Sequence, residues 1–164
     1  MMNSVLCYLE ETAKRLPDKV AFFDLEHEIT FMGLRKRAID LAFAIQSALP
    51  GRRNPILTYL PKSVENIVAF MGILYSGNFY TPTDIRFPEE KVKSIISTLN
   101  PSAIIVDNKT KEKLGKFEGL GDILLINLDE VKCSNRYEEG ERLAGEILDV
   151  DPVYTFFTSG STGT

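Results

Sequence analysis

The sequence predicts an α/β fold: a mostly parallel sheet flanked by helices, with a short hairpin near the N-terminus. From Pro55 onward, short apolar segments alternate with segments of helical periodicity. The strand-like segments are apolar along their whole length, which is typical of strands that are covered on both faces. Strands that alternate with helices are connected by right-handed crossovers, so the neighbouring strands are expected to be parallel.

The first fifty or so residues predict a helix, a hairpin and a second helix. Residues 4–16 carry apolar side chains at helical spacing and stop before Pro17. The stretch VAFFDLEHEITF, residues 20–31, predicts two short strands joined by a polar turn. Thr30 stands where it can cap the next helix, whose apolar positions run over residues 34–49.

The middle of the chain predicts strands and helices in alternation. Two helices are expected, one over residues 63–77, with Ser63 as N-cap and Gly77 as a left-handed stop, and one over residues 87–99. The second has Pro88 and two glutamates in its first turn. Strands are expected in PILTYL, NFYTPTD, SAIIVD and DILLIN. Residues 132–146 are charged and loosely patterned, which favours a solvated loop or a short surface helix.

Composition narrows the class of protein. The chain has 164 residues, of which 44% are hydrophobic and 26% charged, as in an ordinary globular domain, and we expect residues 1–164 to form one domain. A net charge of -4 gives no general attraction to nucleic acid or to an anionic membrane, so neither partner is expected.

Cys7 and Cys133 match no zinc or disulfide pattern. No run of about 18 apolar residues occurs, and the cytoplasm is the expected location.

The residues best suited to chemistry lie at the end of the sequence. Residues 151–157, DPVYTFF, predict a buried strand, and TSGSTGT follows with only glycine, serine and threonine. Ligands of a parallel sheet bind beyond the carboxyl ends of its strands, where glycines, free N–H groups and hydroxyls can hold phosphate oxygens. The segment lacks the lysine of a P-loop and the GxGxxG dinucleotide pattern. By composition alone, it is also typical of a linker or a frayed terminus.

The ordered string YTFFTSGSTGT, residues 154–164, resembles the phosphate-binding signature of the adenylate-forming (AMP-binding) superfamily. That superfamily includes acyl-CoA synthetases, luciferases and the adenylation domains of nonribosomal peptide synthetases. Residues 74–84, LYSGNFYTPTD, resemble its second core motif, and residues 29–45, ITFMGLRKRAIDLAFAI, resemble its first. The three motifs occur in the family's order, and the resemblance covers nearly the whole chain from about Lys19.

Residues 80–107 are most similar to the amino-acid-activating branch, which includes the D-alanine carrier-protein ligases. The sequence departs from the family pattern at two places. Thr81 and Thr83 stand where apolar residues are common, and Tyr75 and Ser76 replace the usual lysine and alanine before the glycine.

The resemblance implies a reaction in two steps. A carboxylate attacks the α-phosphate of Mg-ATP to give an acyl-adenylate and pyrophosphate, and the acyl group then passes to a thiol, typically the phosphopantetheine of a carrier protein. The expected partners are therefore ATP, a carboxylic acid (an amino acid in this branch) and a carrier protein. The resemblance assigns the binding of the β and γ phosphates to Thr158, Ser159, Gly160, Ser161, Thr162 and Gly163.

The family pattern places its other nucleotide contacts, its metal ligand and its catalytic lysine beyond Thr164. We therefore expect the N-terminal part of a single truncated AMP-binding domain, with no catalytic residue, no metal ligand and no tightly bound cofactor of its own. It is expected to be inactive alone and to self-associate through uncovered apolar faces. Two alternatives remain: the same piece of an acyl- or aryl-CoA ligase, and a non-enzymatic α/β binding module with an incidental terminal loop.

Other polar residues favour structural roles. Asp84 and Asp107 follow predicted strands and suit strand-end turns or helix caps. His27 is the single histidine and lies in a polar turn, so a surface position is expected. Tyr80 and Pro82 are expected to shape the turn after their strand rather than to touch substrate.

Overall fold

A parallel sheet of four strands is the centre of the fold, and a separate antiparallel hairpin of two strands lies near the N-terminus. The computed structural model describes residues 4–157. The helices are α1 (Val5–Arg15), α2 (Phe31–Ala48), α3 (Val64–Tyr75), α4 (Glu89–Leu99), α5 (Asn108–Leu114) and α6 (Gly140–Gly145). The strands are β1 (Val20–Phe23), β2 (Glu28–Thr30), β3 (Pro55–Thr58), β4 (Phe79–Pro82), β5 (Ala103–Val106) and β6 (Leu125–Asn127).

The strand order in the sheet is β4-β3-β5-β6, and every neighbouring pair is parallel. Ile56 of β3 is in register with Tyr80 of β4 on one side and with Ala103 of β5 on the other. β3, the first of these four strands along the chain, therefore lies in the interior of the sheet, and β4 lies at an edge. This topology, together with the hairpin, confirms the predicted fold class.

Helices cover both faces of the sheet. On one face, Leu41 of α2 packs with Ile56 and Ile105. On the other face, Ile96 of α4 packs with Leu57 and Ile104. Burial on both sides explains why the strands are apolar at consecutive positions. Among residues 4–157, no helix combines the length and apolar composition needed to cross a membrane.

The predicted helix boundaries agree with the local chemistry. The Thr30 hydroxyl accepts a hydrogen bond from the Gly33 N–H at 3.1 Å, and Ser63 accepts one from the Asn66 N–H at 3.4 Å. Gly77 has a φ of +83°, the left-handed conformation that ends α3. Pro88 occupies the N-cap of α4, one residue before the first turn in which it was predicted.

Helix α5 was not predicted from the sequence. Its seven residues are too few and too rich in lysine to show an apolar period. It begins at a capping box: the Asp107 carboxylate accepts from the Thr110 N–H at 2.7 Å, and the Thr110 hydroxyl accepts from the Asp107 N–H at 2.9 Å. Asp107 is thus a helix cap, as the sequence suggested.

The C-terminal third of the described chain differs from prediction in two respects. Residues 132–146 contain the predicted short surface helix, α6, in which Glu141 and Arg142 are exposed. The prediction missed its buried face, where Leu143 and Ala144 are each only 2% exposed against α1 and α3. Residues 151–157 do not form a buried strand. They make one isolated parallel bridge, between Tyr80 and Tyr154, and Tyr154 is 54% exposed. These residues have high β-propensity. Among the described residues, however, only β4 lies beside them, and the pairing with it is limited to one bridge.

Candidate functional site

The predicted phosphate loop, Thr158 to Gly163, lies outside the described residues, but the segment that leads to it is described. This segment runs parallel to the outer edge of β4. The Tyr80 N–H donates to the Val153 carbonyl at 3.2 Å, and the Thr155 N–H donates to the Tyr80 carbonyl at 3.0 Å. Because the two chains are parallel, the segment advances toward the carboxyl end of β4, the edge at which parallel sheets bind ligands.

Aromatic side chains fix the end of this segment. Phe157 is half-buried and packs into the cluster of buried residues between the sheet and α4. Phe156 is 61% exposed and lies across from it, edge-on to Tyr154 with ring centroids 5.0 Å apart. The last described residue is therefore partly buried and packs against the core.

The carboxyl ends of β3 and β4 carry buried and paired polar groups. The Tyr59 hydroxyl donates to the Ile85 carbonyl at 3.4 Å, and burial raises the pKa of Tyr59. The Asp84 carboxylate accepts from the Arg86 guanidinium at 2.6 Å and from the Arg86 N–H at 2.9 Å. The guanidinium holds the pKa of Asp84 well below its usual range. Asp84 thus closes a strand-end turn, in agreement with its predicted role.

Two of the departures from the family pattern lie on this part of the sheet. Thr81 and Thr83 are at most 3% exposed, and their hydroxyls find no hydrogen-bond partner among residues 4–157.

A cavity of about 460 Å³ lies next to this edge, between the hairpin, the start of α3 and β4. Its wall is mostly apolar and includes five aromatic rings, those of Phe22, Phe23, Phe70, Tyr80 and Phe156. Tyr80 lies within β4 rather than in the turn after it, and its ring stacks on Phe70 at 4.1 Å. The sequence suggested no cavity here, because its wall combines rings from four separate parts of the chain: β1, α3, β4 and the segment after α6.

The start of α3 beside the cavity is capped by a carboxylate from the hairpin. Asp24 accepts from the Val64 N–H at 2.8 Å and, through its other oxygen, from the N–H groups of Glu26 and His27 at 2.8 Å each. The Val64 N–H in particular lowers the pKa of Asp24. This contact ties the hairpin to α3 and was missed because 40 residues separate its partners. The His27 side chain is 63% exposed, in the predicted surface turn.

Within residues 4–157, histidine, cysteine and acidic side chains form no group of three or more that could hold a metal ion. The ion pairs that Arg86 and Lys111 make at this edge engage Asp84 and Glu130. Both carboxylates are thus paired with a cationic side chain.

Comparison with known proteins places this geometry in context. The chain is 30% identical over 154 residues to a mycosubtilin synthase polypeptide of Bacillus subtilis, a match that covers 94% of this chain and 6% of that protein. It is 29% identical over 162 residues to the D-alanine--D-alanyl carrier protein ligase of Staphylococcus aureus (strain JH9), covering 99% of this chain and 31% of the ligase. The chain thus spans less than a third of the length of these relatives.

The fold is also similar to a solved structure. The fatty acyl-adenylate ligase from L. pneumophila, in complex with acyl adenylate and pyrophosphate, matches with a TM-score of 0.79 at 22% identity, over 97% of this chain and 28% of that one. Residues 9–164 match the family described as AMP-binding enzyme. The superfamily that the three sequence motifs indicated is thereby confirmed: the chain belongs to the AMP-binding enzyme family.

Proposed function

We propose that this chain is the N-terminal part of an ATP-dependent ligase that activates a carboxylic acid, of the amino acid class, as an acyl-adenylate. The acyl group then passes to the phosphopantetheine thiol of a carrier protein. The family match supports the first step, and the similarity to a D-alanyl carrier protein ligase supports the substrate class and the acceptor.

One observation carries the proposal. The segment before Thr158 runs along β4 toward the carboxyl edge of the sheet, and the family's glycine and hydroxyl string follows it directly. In this proposal, residues 158–163 hold the β and γ phosphates through N–H and hydroxyl donors. These donors stabilise the charge that develops on the leaving pyrophosphate, and they need no reorganisation when the bond breaks.

Magnesium enters the proposal with ATP, as the Mg-ATP substrate. The described residues contain no cluster of acidic side chains suited to a metal, so no metal ligand is assigned to them. When bound, the ion supplies positive charge against the phosphates.

In this proposal, the 164 residues do not catalyse adenylation alone, because they span less than a third of the length of the relatives they match. Exposed apolar side chains support self-association of the isolated chain. Phe23 is 80% exposed, Leu25 is fully exposed and Phe156 is 61% exposed.

The test uses the full-length protein and acid-dependent exchange of pyrophosphate into ATP. We expect exchange with at least one amino acid, and transfer of the acyl group to a phosphopantetheinylated carrier protein rather than to coenzyme A. Exchange with fatty or aryl acids alone would replace the substrate class, and no exchange with any acid would overturn the proposal.

The loop assignment is tested by Thr162→Ala in the same protein. Loss of one donor to the pyrophosphate is expected to lower kcat/KM for ATP by about 100-fold or more. The matched control is Ser47→Ala, because the Ser47 hydroxyl is exposed and donates to the Phe43 carbonyl of its own helix. Equal rates in the two variants would exclude Thr162 from phosphate binding.

A further inference from the structure

Two consecutive arginines fix the course of the chain before the predicted phosphate loop. We call residues 146–157 the terminal segment. Arg52, in the loop between α2 and β3, donates to the Glu146 carbonyl at 2.8 Å and to its carboxylate at 3.2 Å. Arg53 donates to the Asp151 carboxylate through Nε at 2.8 Å and lies within 2.6 Å of it through Nη2. The terminal segment is therefore held at two points by one short loop.

Apolar burial contributes little between these points. Ile147 is half-buried against the helices, but Leu148 is 53% exposed and Val150 is 77% exposed. The next apolar anchor is the half-buried Phe157. Between Ile147 and the bridge to β4, polar contacts rather than packing decide where the chain runs.

The Asp151 carboxylate binds both Arg53 and the backbone of its own turn. One oxygen binds the Arg53 guanidinium, and the other accepts from the Leu148 N–H at 2.9 Å. The Asp151 N–H donates back to the Leu148 carbonyl at 3.1 Å, which closes a turn. The Leu148 N–H and Arg53 together hold the pKa of Asp151 below its usual value, so the group is an anion near neutral pH. The turn that redirects the chain toward β4 is thus locked to Arg53.

The backbone of Arg53 is itself constrained. Its φ of +61° is left-handed, a conformation that costs free energy in any residue with a Cβ and persists where the surroundings hold it. The Arg53 N–H donates to the Gly77 carbonyl at 2.8 Å, at the turn that begins β4. At Gly77 itself a Cβ would lie 2.6 Å from the Arg52 Nε. Arg53 therefore links the start of β4 to the segment that runs along its edge.

We propose that Arg53 and Asp151 are positioning residues for the phosphate loop. Their ion pair sets the register of residues 153–157 against β4, and it thereby sets the point from which Thr158 continues. This inference rests on the proposed phosphate-binding function of residues 158–163. Neither Arg53 nor Asp151 touches ATP; both act through the backbone between them and the loop.

The test compares Arg53→Ala, Asp151→Ala and the double variant in the full-length protein. Displacement of a catalytic loop by about 1 Å can cost up to about a hundredfold, and we expect kcat/KM for ATP to fall by about tenfold. The KM for the carboxylic acid should not change. Because the two residues act as a unit, the double variant should resemble either single variant, and Arg53→Lys should recover part of the loss.

Two further variants separate positioning from stability. Arg53→Gly removes the side chain and relieves the left-handed backbone, so it should be at least as stable as Arg53→Ala while showing the same loss with ATP. Arg37→Ala is the matched control, because Arg37 of α2 and Glu65 of α3 form a bidentate ion pair, 2.7 and 2.5 Å, that joins two helices and not the terminal segment. The inference is overturned if Arg53→Ala keeps wild-type kinetics with ATP, or if it loses no more than Arg37→Ala.

Hydrogen exchange gives a readout that does not depend on the proposed reaction. The Thr155 amide is bonded to the Tyr80 carbonyl, and its exchange should accelerate in Arg53→Ala but not in Arg37→Ala. If the wild-type protein exchanges no pyrophosphate, the proposed function fails, and this measurement still decides whether Arg53 fixes the segment. Unchanged protection of Thr155 would overturn the inference.

Discussion

The parallel sheet and the terminal segment beside it are held by different forces. Every residue of β5 is buried, and Ile104 and Ile105 are completely inaccessible between the helix layers. The terminal segment lies along the edge strand with exposed side chains, two backbone hydrogen bonds to Tyr80 and two arginine contacts. Apolar burial dominates in the sheet, and directional polar contacts dominate in the segment.

This difference separates folding from function. Burial is not directional and supplies most of the free energy of folding, whereas hydrogen bonds and ion pairs add little net stability but fix geometry. The terminal segment, which is held by polar contacts, can therefore position a loop that must admit ATP and release pyrophosphate. Changes in the sheet should therefore lower stability, and changes along the segment should alter positioning.

The largest expected effect lies in the sheet. Ile105→Ala removes a fully buried side chain of β5 that packs with Leu41 of α2, and we expect it to lower the free energy of unfolding by about 2–5 kcal/mol. Urea-induced unfolding followed by circular dichroism measures the change. Leu148→Ala, in the exposed part of the terminal segment, is the control and should change stability by less than about 0.5 kcal/mol. Similar losses in both variants would remove the distinction between the two regions.

An intermediate effect is expected at the start of α6, the helix that precedes the terminal segment. Glu10 and Arg35 form a buried ion pair, in which Arg35 Nε lies 2.9 Å from both carboxylate oxygens. Gly140 packs against it, because a Cβ there would lie 2.5 Å from Arg35 Nη2 and 2.6 Å from Glu10 Oε1. Arg35 also donates to the Tyr137 carbonyl at 2.7 Å.

Gly140→Ala should therefore displace the ion pair and lower the free energy of unfolding by about 1–3 kcal/mol, as overpacking does in other cores. Gly145→Ala is the matched control on the same helix, since a Cβ there meets nothing within 4 Å. Urea-induced unfolding of both variants measures the difference. If Gly140→Ala were as stable as Gly145→Ala, close packing of Gly140 against the Glu10–Arg35 pair would not be needed for stability.

The sequence predicted what short-range chemistry determines. The spacing of apolar residues predicted the main helices and the four parallel strands. Hydroxyl caps such as Thr30 and Ser63 predicted where helices begin to within one residue. The order of strands was not predicted, because the pairing of β3 with β5 joins residues almost fifty positions apart. The buried face of α6 was also missed, because Leu143 is surrounded by charged residues in the sequence and contacts α1 and α3, which lie far away along the chain.

Tyr75 shows how a departure from a family pattern becomes intelligible only in three dimensions. Its hydroxyl donates to the Glu10 carboxylate at 2.6 Å, and burial raises the pKa of Tyr75 far above its usual value. Sequence similarity identified the family and predicted the phosphate string, but no local pattern marked Glu10, Arg53 or Asp151. Their partners lie 25 to 98 residues away along the chain.

The smallest expected effect concerns the pH dependence of the Arg53–Asp151 pair. The pKa of Asp151 is lower in the folded protein than the value of about 3.9 in an unfolded chain. Its carboxylate therefore stabilises the fold above about pH 4, and this contribution is lost as the pH falls through the lower, folded-state pKa. Because Arg53 is 60% exposed, we expect less than about 1 kcal/mol.

Asp151→Asn isolates this contribution, because its amide oxygen can still accept from the Leu148 N–H while the charge is removed. The wild type should be more stable than the variant at pH 7, and the difference should shrink as the pH falls from about 4. Urea unfolding of both proteins across this range measures it, with Asp149→Asn as a control for the same change in net charge. A difference that stays constant with pH would assign the role of Asp151 to its turn and not to its charge.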